Sequence, residues 1–245
     1  MNLAEQVYWD ALYTETPLEP VGKNDPIRKW IEQNVPAVPA AERRTCLEIG
    51  CFPGRYLSIF GELGYEVHGL DRTPRITELP AWFNRLGFKV GHFEQQDIQA
   101  VSFAQQYDVV CSFGFIEHFT NWDEIIEIHS RLVKKGGYLV IETPNFRGTV
   151  QRVLRQSLDS ENLKRHYLKS MSPRKWKRVL EKHDYRILFE GYLGEFDFWV
   201  EDQERNRLQK RLLSAVLANM DKLKSAMKNS SSHYSPYCGI IANKG

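Results

Sequence analysis

The segment Cys46-Leu-Glu-Ile-Gly-Cys-Phe-Pro-Gly-Arg-Tyr56 constrains the fold more tightly than any other stretch of the chain. An apolar strand ends in an acid and a glycine, a tight loop follows, and a helix begins. Glycine lacks a Cβ, so Gly50 and Gly54 let the main chain pass close to a small ligand. Strand, loop and helix in that order open a sheet of the α/β class, whose ligands sit beyond the carboxyl ends of the strands. The spacing acid-x-Gly-x-x-x-Gly, from Glu48 to Gly54, differs from the Gly-x-Gly-x-x-Gly that seats a dinucleotide pyrophosphate. Phe52 and Pro53 also stand where a pyrophosphate needs free amides, and proline has no N–H to give. Hydride transfer from a dinucleotide is therefore disfavoured.

The same alternation continues along the chain. Residues 2–14 read as a helix, and Asn24-Asp25-Pro26 reads as a second helix start with Pro36 near its end. A first strand over 45–49 is followed by a helix over 53–63, which Gly64 ends. A second strand over 66–70 ends at Asp71, a helical segment contains Pro80, and a third strand over 91–95 leads to Asp97. The fourth strand spans 107–112. Asn121 can cap a helix over 123–133 that Lys134-Lys135-Gly136-Gly137 closes with cations and a glycine stop. A fifth strand covers 138–142. Helices over 147–170 and 173–182, a sixth strand over 185–192, a helical insertion over 203–229 and a seventh strand over 237–242 complete the chain. Five βα units in series imply parallel strands with right-handed crossovers.

Strand ends on one edge carry the chemistry. Asp71, 21 residues after Gly50, stands where a carboxylate can accept two hydrogen bonds from a ribose diol, and Arg72 follows it. Asp97-Ile98 lies beyond the third strand. Capping the next turn is the competing role for both acids. The fourth strand runs through Phe113 to Glu117-His118, and Leu132 to Ile141 supply a helix, a turn and a strand. Taken in order over residues 45–145, these five motifs resemble those of class I S-adenosylmethionine-dependent methyltransferases. The Glu-His ending of the fourth motif most resembles their small-molecule branch.

The resemblance implies an α/β, Rossmann-like, seven-stranded, mostly parallel sheet with helices on both faces and a helical cap. It divides a single domain, 1–245, into N-terminal helices (1–40), a cofactor-binding half (41–146), a basic helical cap (147–182) and the last strands (183–245) with the insertion at 203–229. It implies S-adenosyl-L-methionine as cofactor, with Glu48, Gly50, Cys51, Gly54, Asp71, Arg72, Asp97, Ile98 and Phe113 around it. Asp71 takes the ribose, Asp97 the adenine amino group, and Ile98 packs on the ring. Glu48 shapes the loop or reaches the methionine amino group through water. Phe52 departs from the family, which commonly has glycine there; a tolerated variant is expected, with a degenerate site as the alternative.

A sulfonium releases a neutral leaving group, so positioning supplies most of the rate of methyl transfer. An alcohol acceptor must also lose its proton. His118 is the first candidate base and His166, in the cap, the second. A hydrogen bond within the helix-entry turn is the competing role for His118. Glu117-His118 makes half of a metal site, but the sequence offers no evident third ligand, and no metal is expected. Trp9 and Tyr13 are expected to pack their helix on the sheet, with closure over a sulfonium by cation–π attraction as the alternative.

Charge is uneven. Residues 147–182 hold 11 Lys+Arg against 3 Asp+Glu, a local +8 in a chain of net +2. Such a segment coats a solvated helix face or attracts an anion. Thr143-Pro144-Asn145-Phe146-Arg147-Gly148, with Glu161-Asn162-Leu163 and His166, resembles methyltransferases of bacterial glycan and natural-product pathways. A small acceptor, sugar-containing or phosphate-bearing, is therefore expected. A nucleic acid is disfavoured, because Ser112-Phe113-Gly114-Phe115 replaces the Asn/Asp-Pro-Pro-aromatic motif of amine-methylating relatives. An RNA or protein substrate docking on the basic cap, and a non-catalytic binding module, are the other readings. No apolar run reaches the length of a membrane span, and Glu5 and Asp10 interrupt any leader pattern, so the cytoplasm is the expected compartment. Four cysteines without Cys-x-x-Cys spacing read as reduced, structural thiols.

Overall fold

The computed structural model describes residues 3, 5–100 and 105–245; residues 2 and 4 of the expected first helix lie outside the described residues. In chain order, α1 (Gln6–Tyr13) and α2 (Pro26–Asn34) precede β1 (Thr45–Ile49), α3 (Leu57–Glu62) and β2 (Glu66–Asp71). Next come α4 (Leu79–Arg85), β3 (Val90–Gln95), β4 (Tyr107–Phe113), α5 (Trp122–Leu132) and β5 (Val133–Pro144). The chain ends with α6 (Thr149–Leu158), α7 (Ser160–Lys164), α8 (Pro173–Leu180), β6 (Tyr185–Leu193), α9 (Arg207–Ala218), α10 (Met220–Ala226) and β7 (Tyr237–Lys244).

The strands form one sheet in the order β3-β2-β1-β4-β5-β7-β6. Neighbours from β3 to β5 are parallel, and β7 runs antiparallel to both β5 and β6. Strand order reverses between β1 and β4, which opens a crevice at their carboxyl ends. Alternate residues face two apolar layers. Cys46, Val67 and Val109 face α2, α3 and α4; Leu47, Leu70 and Val110 face α5 and α8. The expected mostly parallel, two-layered sheet is the observed one.

Local chemistry sets the element ends. Asp25 Oδ1 accepts from the amides of Ile27 and Arg28, and Pro26 fills the first turn of α2. The helix expected over 53–63 starts only at Leu57, because Gly54 (φ +83°) donates to the Cys51 carbonyl and makes a separate turn first. The Lys134–Gly137 run is not a helix stop. It lies within β5 as an irregularity, since Tyr107 pairs with Val133 and Val109 with Tyr138. Lys134 Nζ is tied to Asp108 Oδ2 at 2.8 Å, and Gly136 takes φ +78°.

The helices of 147–182 and of the insertion meet in a third apolar cluster, where Leu158, Phe196 and Phe198 pack with Leu213, Val216 and Met220. The insertion backs α6, while α7 and the segment before the insertion reach the sheet edge. The basic segment is not wholly a solvated face. Arg155 is fully buried, paired with Asp159 and laid over Phe146, Phe198 and Trp199 at 4.2–4.9 Å. All four cysteines are free and buried. Among the described residues, no helix is long and apolar enough to cross a membrane.

Candidate active site

A cavity opens at the crevice, walled by the β1 loop, the ends of β2 and β4, and α1. The amides of Gly50 and Cys51 donate to the Leu70 carbonyl at 2.8 and 3.2 Å, which stitches the first loop to the end of β2. Gly50 takes φ +72°, and a Cβ there would run into the Phe115 ring. Asp71 accepts from the Phe52 amide through Oδ2 (2.9 Å) and from the Thr73 amide through Oδ1 (3.0 Å). Burial pushes its carboxyl up, against the pull of those amides. Asp97 Oδ1 accepts from the Gln99 amide at 2.9 Å, and Oδ2 lies 3.6 Å from Arg72 Nε. Turn capping and cavity lining therefore coincide in both acids. Gly50, Asp71, Arg72, Asp97, Ile98, Phe113 and His118 all line this cavity.

Glu48, Cys51 and Gly54 are not in its wall. Glu48 lies buried beneath the loop, its carboxyl held well above the usual range by burial and by Asp71. Cys51 packs on Gly69, where a Cβ would come within 2.5 Å of Sγ, and Gly54 packs on Trp82 and Phe83. These three shape the floor from behind.

The expectation that Trp9 and Tyr13 only pack on the sheet is corrected: both line the cavity, because α1 lies across its mouth. Arg75 donates to the carbonyls of Tyr13, Thr14 and Thr16 at the end of α1. Its guanidinium sits 4.9 Å from the Phe52 ring, which meets Tyr13 at 4.8 Å. Phe52 thus seats the helix that closes the site, a role glycine cannot fill.

A second cavity shares Trp9, Phe113, Gly114 and His118 with the first. Besides the shared Trp9 and Phe113, its aromatic walls are Tyr8, Tyr56, Phe146, Trp199 and Tyr237, and its acids are Glu117, Glu142 and Glu201. Among the described residues lining it there is no lysine or arginine. Arg165, at its margin, pairs with Glu201 and stacks 4.1 Å over Tyr8. His118 and His166 face each other with ring centroids 4.7 Å apart. Burial drives His118 down to about 4, against the pull of the Arg165 and Gly114 carbonyls, and holds His166 well below its ordinary value. Burial also raises Glu117 to about 8. His166 stands with Glu117 and His118 in one cluster, a neighbour the sequence did not reveal. Trp199 and Glu201 were not singled out in the sequence, and no local motif marks them.

A family model described as a methyltransferase domain matches residues 23–189. The chain belongs to the class I methyltransferases. The enzyme uses S-adenosylmethionine, and the first cavity fits it chemically: carboxylate acceptors at Asp71 and Asp97, apolar Ile98 and Phe119 beside them, and aromatic faces at Trp9 and Tyr13. The enzyme is 29% identical over 143 residues to a ubiquinone biosynthesis O-methyltransferase of Leptothrix cholodnii, covering 56% of this chain and 58% of that protein. A second protein of that description, from Albidiferax ferrireducens, is 25% identical, covering 56% and 54%. The chain thus spans little more than half the length of the curated relatives it matches. A solved methyltransferase of Archaeoglobus fulgidus shares the fold with a TM-score of 0.55 at 21% identity, over 89% of this chain and 93% of that one. The magnesium protoporphyrin IX methyltransferase of Synechocystis, solved with its cofactor, gives 0.50 at 12% identity over 89% and 76%.

Proposed function

We propose that the enzyme transfers the methyl group of S-adenosylmethionine from the first cavity to a hydroxyl of a small, flat acceptor in the second. The wall common to both, made of Trp9, Phe113, Gly114 and His118, carries this reading. Here the two cavities adjoin, so a donor in one can meet an acceptor in the other in line. The O-methyltransferase relatives support oxygen as the target atom. The aromatic walls favour a ring-bearing acceptor. The acidic lining, with its neighbouring guanidiniums already paired, disfavours the phosphate-bearing acceptor expected from the charge of 147–182, and equally an RNA docked there.

Asp71 and Asp97 hold the nucleoside, and α1 shuts the mouth through Trp9 and Tyr13. His118 is uncharged at neutral pH, with Nδ1 committed to the Arg165 carbonyl at 2.9 Å. Its Nε2 lone pair is then the group that accepts the acceptor's hydroxyl hydrogen. The test is a transfer assay with methyl-labelled cofactor against two panels, hydroxylated aromatics and sugar phosphates. Label in the first panel is expected. Label confined to the phosphates, or no heat on titrating the cofactor alone, would overturn the proposal.

A further inference from the structure

Glu117, His118 and His166 bring three ligand atoms within 4.8 Å of one another. They come from the turn after β4 and from the segment after α7. His118 Nδ1 meets the Arg165 carbonyl at 2.9 Å, and His166 Nδ1 meets the Asn162 carbonyl at 2.7 Å. A carbonyl only accepts, so both Nδ1 atoms carry the proton and both Nε2 atoms keep a lone pair. This is how a main-chain carbonyl fixes the tautomer and orientation of a metal-bound imidazole. His118 Nε2 lies 3.9 Å from Glu117 Oε1. Glu117 is 1% exposed, and its Oε2 has no hydrogen-bond partner. Glu142, on the same cavity, holds a second buried oxygen without a partner, Oε1. A buried carboxylate in that state takes up a proton or is answered by a cation, and the imidazole lone pairs beside Glu117 suit a cation. The two guanidiniums nearby do not, because Arg155 is paired with Asp159 and Arg165 with Glu201.

We propose that Glu117, His118 and His166 bind one divalent transition-metal ion of zinc type on the wall of the second cavity. Two imidazole nitrogens and a carboxylate oxygen are a common zinc donor set, with bonds of about 2.0–2.2 Å. Bringing the three atoms to those distances takes side-chain shifts of about 1 Å. Trp9 packs on the His118 ring at 4.9 Å and Phe146 on the His166 ring at 4.7 Å, so the imidazoles are braced from the side. Three protein ligands leave a coordination position open. With the ion bound, His118 Nε2 is a ligand and gives up its part as proton acceptor to the ion: the open position holds the acceptor's hydroxyl oxygen and lowers its pKa, so the proton leaves to water. The methyl then moves from sulfur to oxygen, and the sulfur departs as a neutral thioether. This role rests on the proposed function; the ion site itself does not. It replaces the metal-free site expected from the sequence, where His166 lies too far along the chain to be seen as a partner of His118.

The full chain, dialysed against a chelator, is titrated with Zn²⁺ by calorimetry and with Co²⁺ by visible absorption; adenosylmethionine is titrated into the same samples. One equivalent of Zn²⁺ is expected, with a Co²⁺ spectrum of low coordination number. Glu117→Gln and His166→Gln, chosen for shape, are each expected to weaken the ion by more than about 100-fold and leave adenosylmethionine affinity unchanged. Absence of binding, or binding that neither substitution alters, would overturn the ion site. Ion failure with intact cofactor binding leaves the proposed function standing, whereas loss of cofactor binding in the unaltered chain removes that function.

Discussion

The two cavities lie side by side but are built in opposite ways. The cofactor cavity is made of main chain held by its own neighbours: the β1 loop is bonded to Leu70, and Asp71 is bonded to Phe52 and Thr73. The acceptor cavity is made of side chains gathered from α1, β4, β5, the α7 end and the segment at 199–201. One is fixed wherever the sheet folds; the other exists only when the cap is docked through Arg155 and its aromatic bed. A fold organised this way keeps one donor while exchanging acceptors, since changes in the cap leave the strand ends alone.

Substitutions that act on one cavity and spare the other test this division. His118→Ala is expected to lower turnover by about 10²–10⁴-fold and leave the cofactor dissociation constant within about threefold, measured by single-turnover transfer and calorimetry. A parallel loss of cofactor affinity would merge the two cavities into one unit. Asp71→Ala removes a half-buried carboxyl acceptor and is expected to weaken cofactor binding by about 100-fold or more. It leaves the histidine pair in place, so metal titration is its control.

Phe52→Gly restores the family's usual residue yet unseats α1. Losing the Tyr13 and Arg75 contacts is expected to weaken the cofactor about tenfold and to expose α1 to proteolysis. Tighter cofactor binding in this variant would mean that Phe52 only obstructs the loop. The smallest effect belongs to His129, buried in α5 with Nδ1 on the Ile125 carbonyl and no place in either cavity. Burial lowers it to about 4, so the fold takes up its proton less readily than the unfolded chain. Its contribution is full above about pH 6.5 and is lost as pH falls through about 4. Melting scans of His129→Gln over that window should show a shallower acid loss than the unaltered enzyme, with turnover unaffected.

The division also explains what could be read in the sequence. The β1 loop, Asp71, Asp97 and the order of strands are local features, each written within a dozen residues and repeated along one sheet edge. The seven strands and their two helix layers follow from the same alternation. The second cavity is not local. His166 was legible as the second candidate base in the cap, but nothing in its surroundings shows that it faces His118. Arg155 counted as one more surface cation, although the i, i+4 spacing to Asp159 in an amphipathic helix was the available sign of a buried pair. Trp9 and Tyr13 were read as packing residues because a helix shows its apolar face but not what that face covers. Phe52 reads in the sequence as a tolerated departure, and only its contacts with Arg75 and Tyr13 show what it holds.

A crystal structure with S-adenosylhomocysteine bound tests the central claim most directly. The sulfur should lie at the wall shared by Phe113, Gly114 and His118, with the vacated methyl position open to the second cavity and the ribose on Asp71. A sulfur turned away from that wall, or a methyl position sealed from the second cavity, would contradict the account.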